Sequence, residues 1–295
     1  MTFHPSNRRR IWMGVASLAL VAIVSGCAQP VPGGGTPGPG PSTYGPDELV
    51  LRVEYTGGFV PLERLVARLP ILSVYGDGRV ITEGPVIAIY PSPALPNLLV
   101  RTITPAGLDA LVTRALANGV GRDIDLGLPP VADAPSTKFT VRTNTGVKVT
   151  EAYALGINDD GSGLSEAQKS ARRDLRDLLD DLNDLPKTLG SDAGDEPQPY
   201  QPKAVAAISR EWTDPGSTDI PAQPDKAWPG PTLPGDPVPQ NPGLGCVTVT
   251  GEDVAAVLAA AATANALTPW TSDGRRWFVH FRPLLPEENT CADLT

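Results

Sequence analysis

The sequence has 295 residues, and its 41% hydrophobic and 19% charged residues support a packed core and exclude a wholly disordered chain. Its 33 Pro and 30 Gly make up about a fifth of the chain and predict long segments outside helices and strands. The formal net charge of the whole chain is −9. Removal of the N-terminal segment with Arg8, Arg9 and Arg10 leaves 21 of the 24 basic side chains and all 33 acidic ones, which gives a net charge of −12. Such an acidic body repels phosphate backbones, so we expect no nucleic-acid partner.

Residues 1–26 have the pattern of an export signal. The three arginines precede residues 11–26, a stretch without a charged side chain. As a helix, this stretch spans about 24 Å, which is short of the roughly 30 Å hydrocarbon core of a bilayer. The pattern therefore favours a signal peptide over residues 1–26 rather than a transmembrane helix. Because Arg9 and Arg10 directly precede the apolar stretch, export of the unfolded chain and export of the folded chain both stay open.

The end of this segment, Val24-Ser25-Gly26-Cys27, resembles the lipobox of bacterial lipoproteins. In that family the cysteine thiol takes a diacylglyceryl group, the signal is cut before the cysteine, and the new amine is commonly acylated. The resemblance implies lipidation at Cys27 and a location on the extracytoplasmic face of the cell membrane. Two or three acyl chains give a stable anchor, whereas one chain binds marginally. An ordinary signal peptide followed by an unmodified cysteine is the alternative.

Residues 27–47 are predicted to be the lipidated cysteine and its tether. Residues 28–46 contain 6 Pro and 6 Gly and no charged side chain. A segment of this composition cannot bury enough apolar surface to order itself. As a flexible chain it separates its two ends by about 25 Å on average.

Two cysteines remain after Cys27, and both belong to the exported part. An even pair in an exported protein predicts a disulfide, here between Cys246 and Cys291. In the chain-entropy model, a closed loop of about 45 residues stabilises the folded state by about 4 kcal/mol. Two cysteines without a neighbouring histidine are a poor metal site.

Alternation and turn sequences predict antiparallel strands in the exported part. Residues 48–55 alternate apolar and polar side chains, as a half-buried strand does. Glycine-containing turns at residues 76–78 and 144–146 predict two hairpins. Residues 205–212 are a further candidate strand.

Capping sequences predict the helices. Thr104 followed by Pro105 marks the start of one helix, and Ser165 with Gln168 predicts a capping box that opens another, which ends near Asn183. Leucines in the second helix recur at spacings of three and four and form one apolar stripe. The predicted fold class is α+β, an antiparallel sheet with helices packed on it.

The predicted organisation has three parts after the tether. Residues 48–190 form an α+β domain, and residues 191–245 are a Pro-rich joint and irregular loop. Residues 246–295 form a disulfide-closed helix–hairpin unit, to which residues 200–212 are a candidate additional strand. Two helix starts of similar pattern lie 146 residues apart, which leaves open two similar half-units joined by Pro/Gly-rich segments.

Two short stretches carry a second resemblance. The turn unit Tyr75-Gly76-Asp77-Gly78 between strands, together with the run at residues 282–286 before Cys291, is similar to uncharacterised secreted lipoproteins of actinobacteria. The similarity extends over most of residues 48–291. It implies secretion and anchoring but no activity.

Motifs for catalysis are scarce. After signal removal His280 is the one remaining histidine, so any Ser–His or Cys–His pair would need it, and no serine-hydrolase, zinc-protease or phosphate-binding motif is present. Carboxylates are the remaining candidates for acid–base chemistry. The neighbouring pairs are Asp123 with Asp125 and Glu287 with Glu288.

The loop at residues 158–163 has a partial calcium-site pattern. Asn158, Asp160 and Ser162 occupy the first, third and fifth places of an EF-hand loop. The twelfth place, which should be a bidentate Glu, is Lys169. A polar turn before a helix cap is therefore the favoured interpretation, and a weak calcium site is the alternative.

These features predict an extracytoplasmic lipoprotein that acts as a non-enzymatic binding module. Its expected contacts are the membrane, through the lipid on Cys27, and an envelope protein or glycan of unknown identity. No cofactor is expected. The alternative function is an envelope hydrolase that uses carboxylate acid–base chemistry.

Overall fold

The computed structural model describes residues 44–294 except 162, 215, 217–220 and 240. All described residues belong to one compact unit. The predicted signal peptide, the lipidation site Cys27 and the tether up to residue 43 lie outside the described residues, as does Ser162. Within the described part, no helix has the length and apolar character needed to cross a bilayer.

The N-terminal half of the described chain forms a seven-stranded antiparallel sheet, with strand order β6-β5-β1-β2-β3-β4-β7. Its strands are β1 (Leu49–Gly57), β2 (Leu72–Tyr75), β3 (Arg79–Glu83), β4 (Leu98–Thr102), β5 (Pro135–Thr143), β6 (Gly146–Tyr153) and β7 (Gln198–Pro199). The predicted hairpins are confirmed as β2–β3 and β5–β6. Gly78 has φ +86°, and a Cβ there would lie 2.4 Å from the carbonyl oxygen of Ile103, so this turn requires glycine.

Two long helices cover one face of this first sheet. The helices of the chain are α1 (Leu62–Val66), α2 (Pro105–Ala117), α3 (Glu166–Asn183), α4 (Leu185–Leu189) and α5 (Asp253–Ala262). The predicted caps are present: Thr104 accepts a hydrogen bond from the Gly107 N–H, and Ser165 and Gln168 form the capping box. The leucine stripe of α3 and the apolar face of α2 form one core with β1 and β5. The α+β prediction is confirmed.

The C-terminal half forms a second, six-stranded sheet, with order β10-β11-β8-β13-β12-β9. Its strands are β8 (Ala204–Glu211), β9 (Lys226–Ala227), β10 (Asp236–Val238), β11 (Asn241–Thr250), β12 (Trp270–Ser272) and β13 (Arg275–Pro283). Pairing is antiparallel except between β9 and β12. Helix α5 packs on one face of this sheet, in a core that contains Trp228 and Trp270.

Residues 191–245, expected to be a joint and an irregular loop, contain four complete strands and the first half of β11. β7 joins the edge of the first sheet, and β8 lies inside the second sheet, where it pairs with both β11 and β13. The short strands β9 and β10 come from the same proline-rich segment. The second sheet is thus assembled from residues on both sides of position 246.

The predicted disulfide is present. Cys246 on β11 is bonded to Cys291, with an S–S distance of 2.07 Å and a Cα–Cα distance of 6.1 Å. Cys291 begins a short 3-10 turn that ends at Leu294. The bond ties this C-terminal turn to β11, where the Cys291 N–H also donates to the Thr248 hydroxyl at 3.0 Å.

Candidate functional site: an apolar groove

A groove of about 720 Å³ opens beside the ends of β1 and β3. Its volume falls within the range of small-molecule binding sites. Residues from both halves of the chain line it, among them Arg64, Arg68 and Ile71 around α1, Glu83 and Ile87 after β3, and His280 on β13.

Strand direction brings two loops to this groove. β1 and β3 each pair antiparallel with β2, so they run in the same direction. The loop after Gly57 and the loop after Glu83 therefore leave the sheet at the same end. Tyr44, where the described chain begins, lies at the other end, against the β2–β3 turn at Gly76. With nine residues in β1, the two ends are about 26 Å apart.

Both loops expose large apolar side chains. Phe59 is 88% exposed, Ile87 63% and Tyr90 73%. Other exposed apolar side chains of the same loops are Val60, Leu62, Val86 and Ile89. Scattered exposed hydrophobic residues are ordinary on protein surfaces, but a cluster beside a cleft indicates an interaction site.

Backbone and side-chain hydrogen bonds hold the base of the second loop in place. The Gly84 N–H donates to the Asn97 carbonyl at 2.7 Å, and the Asn97 side chain donates to the Pro85 carbonyl at 2.9 Å. Further along, Ala94 donates to Ala264 at 3.2 Å, which connects this loop to the C-terminal half. The groove is therefore a preformed feature of the fold rather than a product of loop closure.

His280 supplies an imidazole to the groove. Burial lowers the pKa of His280, and the guanidinium groups of Arg64 and Arg210 lower it further, whereas Glu63 acts in the opposite direction. The imidazole is therefore neutral at pH 7, and it can donate or accept a hydrogen bond. The sequence left His280 without a role, and the structure places it on the groove wall.

Two other charged side chains, Glu83 and Arg68, line the groove. Burial raises the pKa of Glu83, while Arg282 acts in the opposite direction. Arg68 donates to the carbonyl oxygens of Tyr55 and Gly57 at 3.2 and 2.9 Å.

The loop with the partial calcium-site pattern is held by Asp159, a residue that is not one of the candidate ligands. Asp159 is buried and paired with Arg172 at 2.6 Å, with both side chains fully inaccessible to solvent. Its neighbours differ: Asn158 adopts φ +57°, and Asp160 is exposed, 3.8 Å from Arg173. The described loop thus has a structural role, which joins the end of β6 to α3.

We expect calcium to leave the stability of this loop unchanged. Guanidinium groups of Arg172, Arg173 and Arg176 surround its two aspartates and already compensate them. Melting temperatures measured in calcium and in EDTA should coincide. A higher melting temperature in calcium, lost in an Asp160→Ala variant, would restore the calcium interpretation.

The carboxylate pair Glu287 and Glu288 is engaged in ion pairs. Glu287 binds Arg52 and accepts a hydrogen bond from the Tyr75 hydroxyl at 2.7 Å. Glu288 pairs with Arg282 at 2.8 Å, and both side chains are almost fully buried. Burial raises the pKa of Glu288, with Arg282 acting in the opposite direction. These groups join the C-terminal segment to β1 and β2.

The second candidate pair, Asp123 and Asp125, lies on the surface. Asp125 accepts hydrogen bonds from the Gly127 N–H at 2.9 Å and the Gln168 amide at 2.8 Å. Both Asp125 and Asp123 are exposed. Of the first candidate pair, Glu288 lines a cavity of about 280 Å³ together with Glu54 and Asp293, and there it is paired with Arg282.

Comparisons with protein-family models, curated proteins and solved structures found no match to this chain.

The groove was not predicted from the sequence, although an apolar run in one of its loops indicates it. Residues 85–91 (PVIAIYP) are apolar and bounded by prolines, a pattern unlike either an amphipathic helix or an alternating strand. An apolar run without a secondary-structure period has no predicted face to bury. Such a run is a candidate for an exposed contact surface.

Proposed function

We propose that this chain is a lipid-anchored extracytoplasmic protein that binds an apolar ligand of the cell envelope in the groove beside β1 and β3. The observation that carries the proposal is the convergence of two exposed apolar loops on one preformed cleft. Apolar contact area of this kind provides binding free energy when a ligand covers it. The proposal involves no catalytic step.

The position of the groove supports this assignment. The described chain starts at Tyr44, at the end of the first sheet opposite to the apolar loops. With a lipid on Cys27 and residues 28–43 as a tether, the groove would open away from the anchored end. A ligand could then enter without displacing the anchor.

The anchor is tested by replacing Cys27 with serine. Loss of the thiol removes the nucleophile that would accept the diacylglyceryl group. We expect the wild-type protein from native cells to carry acyl chains on an N-terminal Cys27 and to sediment with membranes, and the variant to do neither. Intact-protein mass spectrometry provides the measurement. An unacylated wild-type N-terminus would contradict the anchoring proposal.

The groove is tested with Val86→Ser combined with Ile87→Ser, which change two exposed residues of its lining. Both side chains are exposed, so we expect little change in folding but about tenfold weaker binding of N-phenyl-1-naphthylamine, an uncharged apolar dye. The titration follows dye fluorescence, and the melting temperature reports on folding.

The matched control for the groove is Val149→Ser. Val149 is 49% exposed on the edge strand β6 and does not line the groove. It should bind the dye as the wild type does. If the control and the groove variant lose the same affinity, or if the wild type binds no dye, the groove is not the binding site.

A further inference from the structure

Arg64 is the cation of the groove whose guanidinium is free to bind a ligand. Its side chain is exposed and lines the cleft, and no ion pair or hydrogen bond to its guanidinium is found among the described residues. The surrounding arginines are engaged: Arg68 binds backbone carbonyls, Arg210 lies 3.4 Å from Glu63, and Arg282 pairs with Glu288.

Among the described residues, neither of the acidic groups nearby forms an ion pair with Arg64. Glu63 is already paired with Arg210, and the cation that acts on the groove carboxyl of Glu83 is Arg282. An unpaired guanidinium is notable in a chain with 33 acidic and 24 basic side chains. The Arg64 guanidinium places a positive charge beside the apolar walls of the groove.

We infer that the ligand is an amphiphile with an anionic head group. The guanidinium of Arg64 binds the head group, and His280, whose imidazole lies near Arg64, is positioned to add a hydrogen bond. The apolar chain contacts the two loops, at Val60 on one side and Ile87 on the other. This inference rests on the proposed function and names the ligand class for the same site.

Charge complementarity selects this class over an uncharged lipid. A guanidinium pairs well with a carboxylate or a phosphate, often through two parallel hydrogen bonds. Fatty acids and lysophospholipids share the combination of an anionic head and an apolar chain. Either class of ligand would fit the arrangement of a free guanidinium beside apolar walls.

The test compares dodecanoate with dodecanol, its uncharged counterpart, as competitors of bound N-phenyl-1-naphthylamine. We expect wild-type protein to bind dodecanoate about tenfold more tightly than dodecanol. Arg64→Gln should remove this preference by weakening the binding of dodecanoate. The control Lys203→Gln, which neutralises an exposed cation outside the groove, should keep the preference.

Lysophosphatidylglycerol serves as a third competitor and distinguishes a phosphate head group from a carboxylate head group. Tighter binding than dodecanoate assigns a phosphate head group, and weaker binding assigns a carboxylate; both support an anionic amphiphile if Arg64→Gln lowers the affinity. Equal binding of dodecanoate and dodecanol, or a preference that survives Arg64→Gln, overturns this inference alone. Failure of the wild type to bind the dye overturns the proposed function instead.

Discussion

Replacing Asp159 by alanine is expected to lower the free energy of unfolding by about 3–5 kcal/mol, because it leaves the buried guanidinium of Arg172 without its counter-charge. The Arg172 side chain also donates to the carbonyl oxygens of Tyr153 and Ala154 at 2.8 and 2.9 Å. These bonds hold α3 against the end of β6. Urea denaturation followed by circular dichroism provides the measurement.

The adjacent residue supplies the control for this prediction. Asp160 is exposed and 3.8 Å from Arg173, so Asp160→Ala should change stability by less than about 1 kcal/mol. Replacing Arg172 by methionine in the Asp159→Ala background removes the unpaired charge, and the double variant should recover part of the loss. Equal effects of Asp159→Ala and Asp160→Ala would show that the buried pair contributes little.

Replacing both Cys246 and Cys291 by alanine is expected to destabilise the protein by about 4 kcal/mol, since the disulfide closes a loop with a sequence separation of 45 residues. For a domain of this size, the change corresponds to a melting temperature lower by about 8–16 °C. Differential scanning calorimetry measures the shift.

Melting in reductant separates the contribution of the disulfide bond from the effect of lost side-chain packing. Cys246 is nearly buried and belongs to an apolar cluster, so alanine at this position also removes packing contacts. The wild type in reductant should melt at a lower temperature than in buffer, whereas the double alanine variant should melt at the same temperature in both. A wild type that is insensitive to reductant, with free thiols shown by alkylation, would contradict the prediction.

The elements that the sequence predicted well are those whose signals are local. The hairpin turn at Gly78 and the capping box of Ser165 with Gln168 depend on a few neighbouring residues, whose backbone geometry permits few alternatives. The disulfide was predictable for a different reason, because only two cysteines remained after Cys27.

Other features depend on partners that are distant in the chain. β8 looks like an isolated strand in the sequence, yet it pairs with β11 and β13 on its two sides. Asp159 is one of two adjacent aspartates with the same intrinsic chemistry. Burial against Arg172 makes one of them structural, and exposure leaves the other with a weak surface contact.

The sequence by itself determined the α+β class, the capped helices, the hairpins and the cysteine pairing, since each follows from local geometry or from counting. Only the tertiary structure decided that the loops after Gly57 and Glu83 meet at one end of a sheet and that His280 lines the same groove. It also decided that no described residue pairs with the Arg64 side chain there. Those placements depend on strand register and on burial across both halves of the chain. No short segment carries that information.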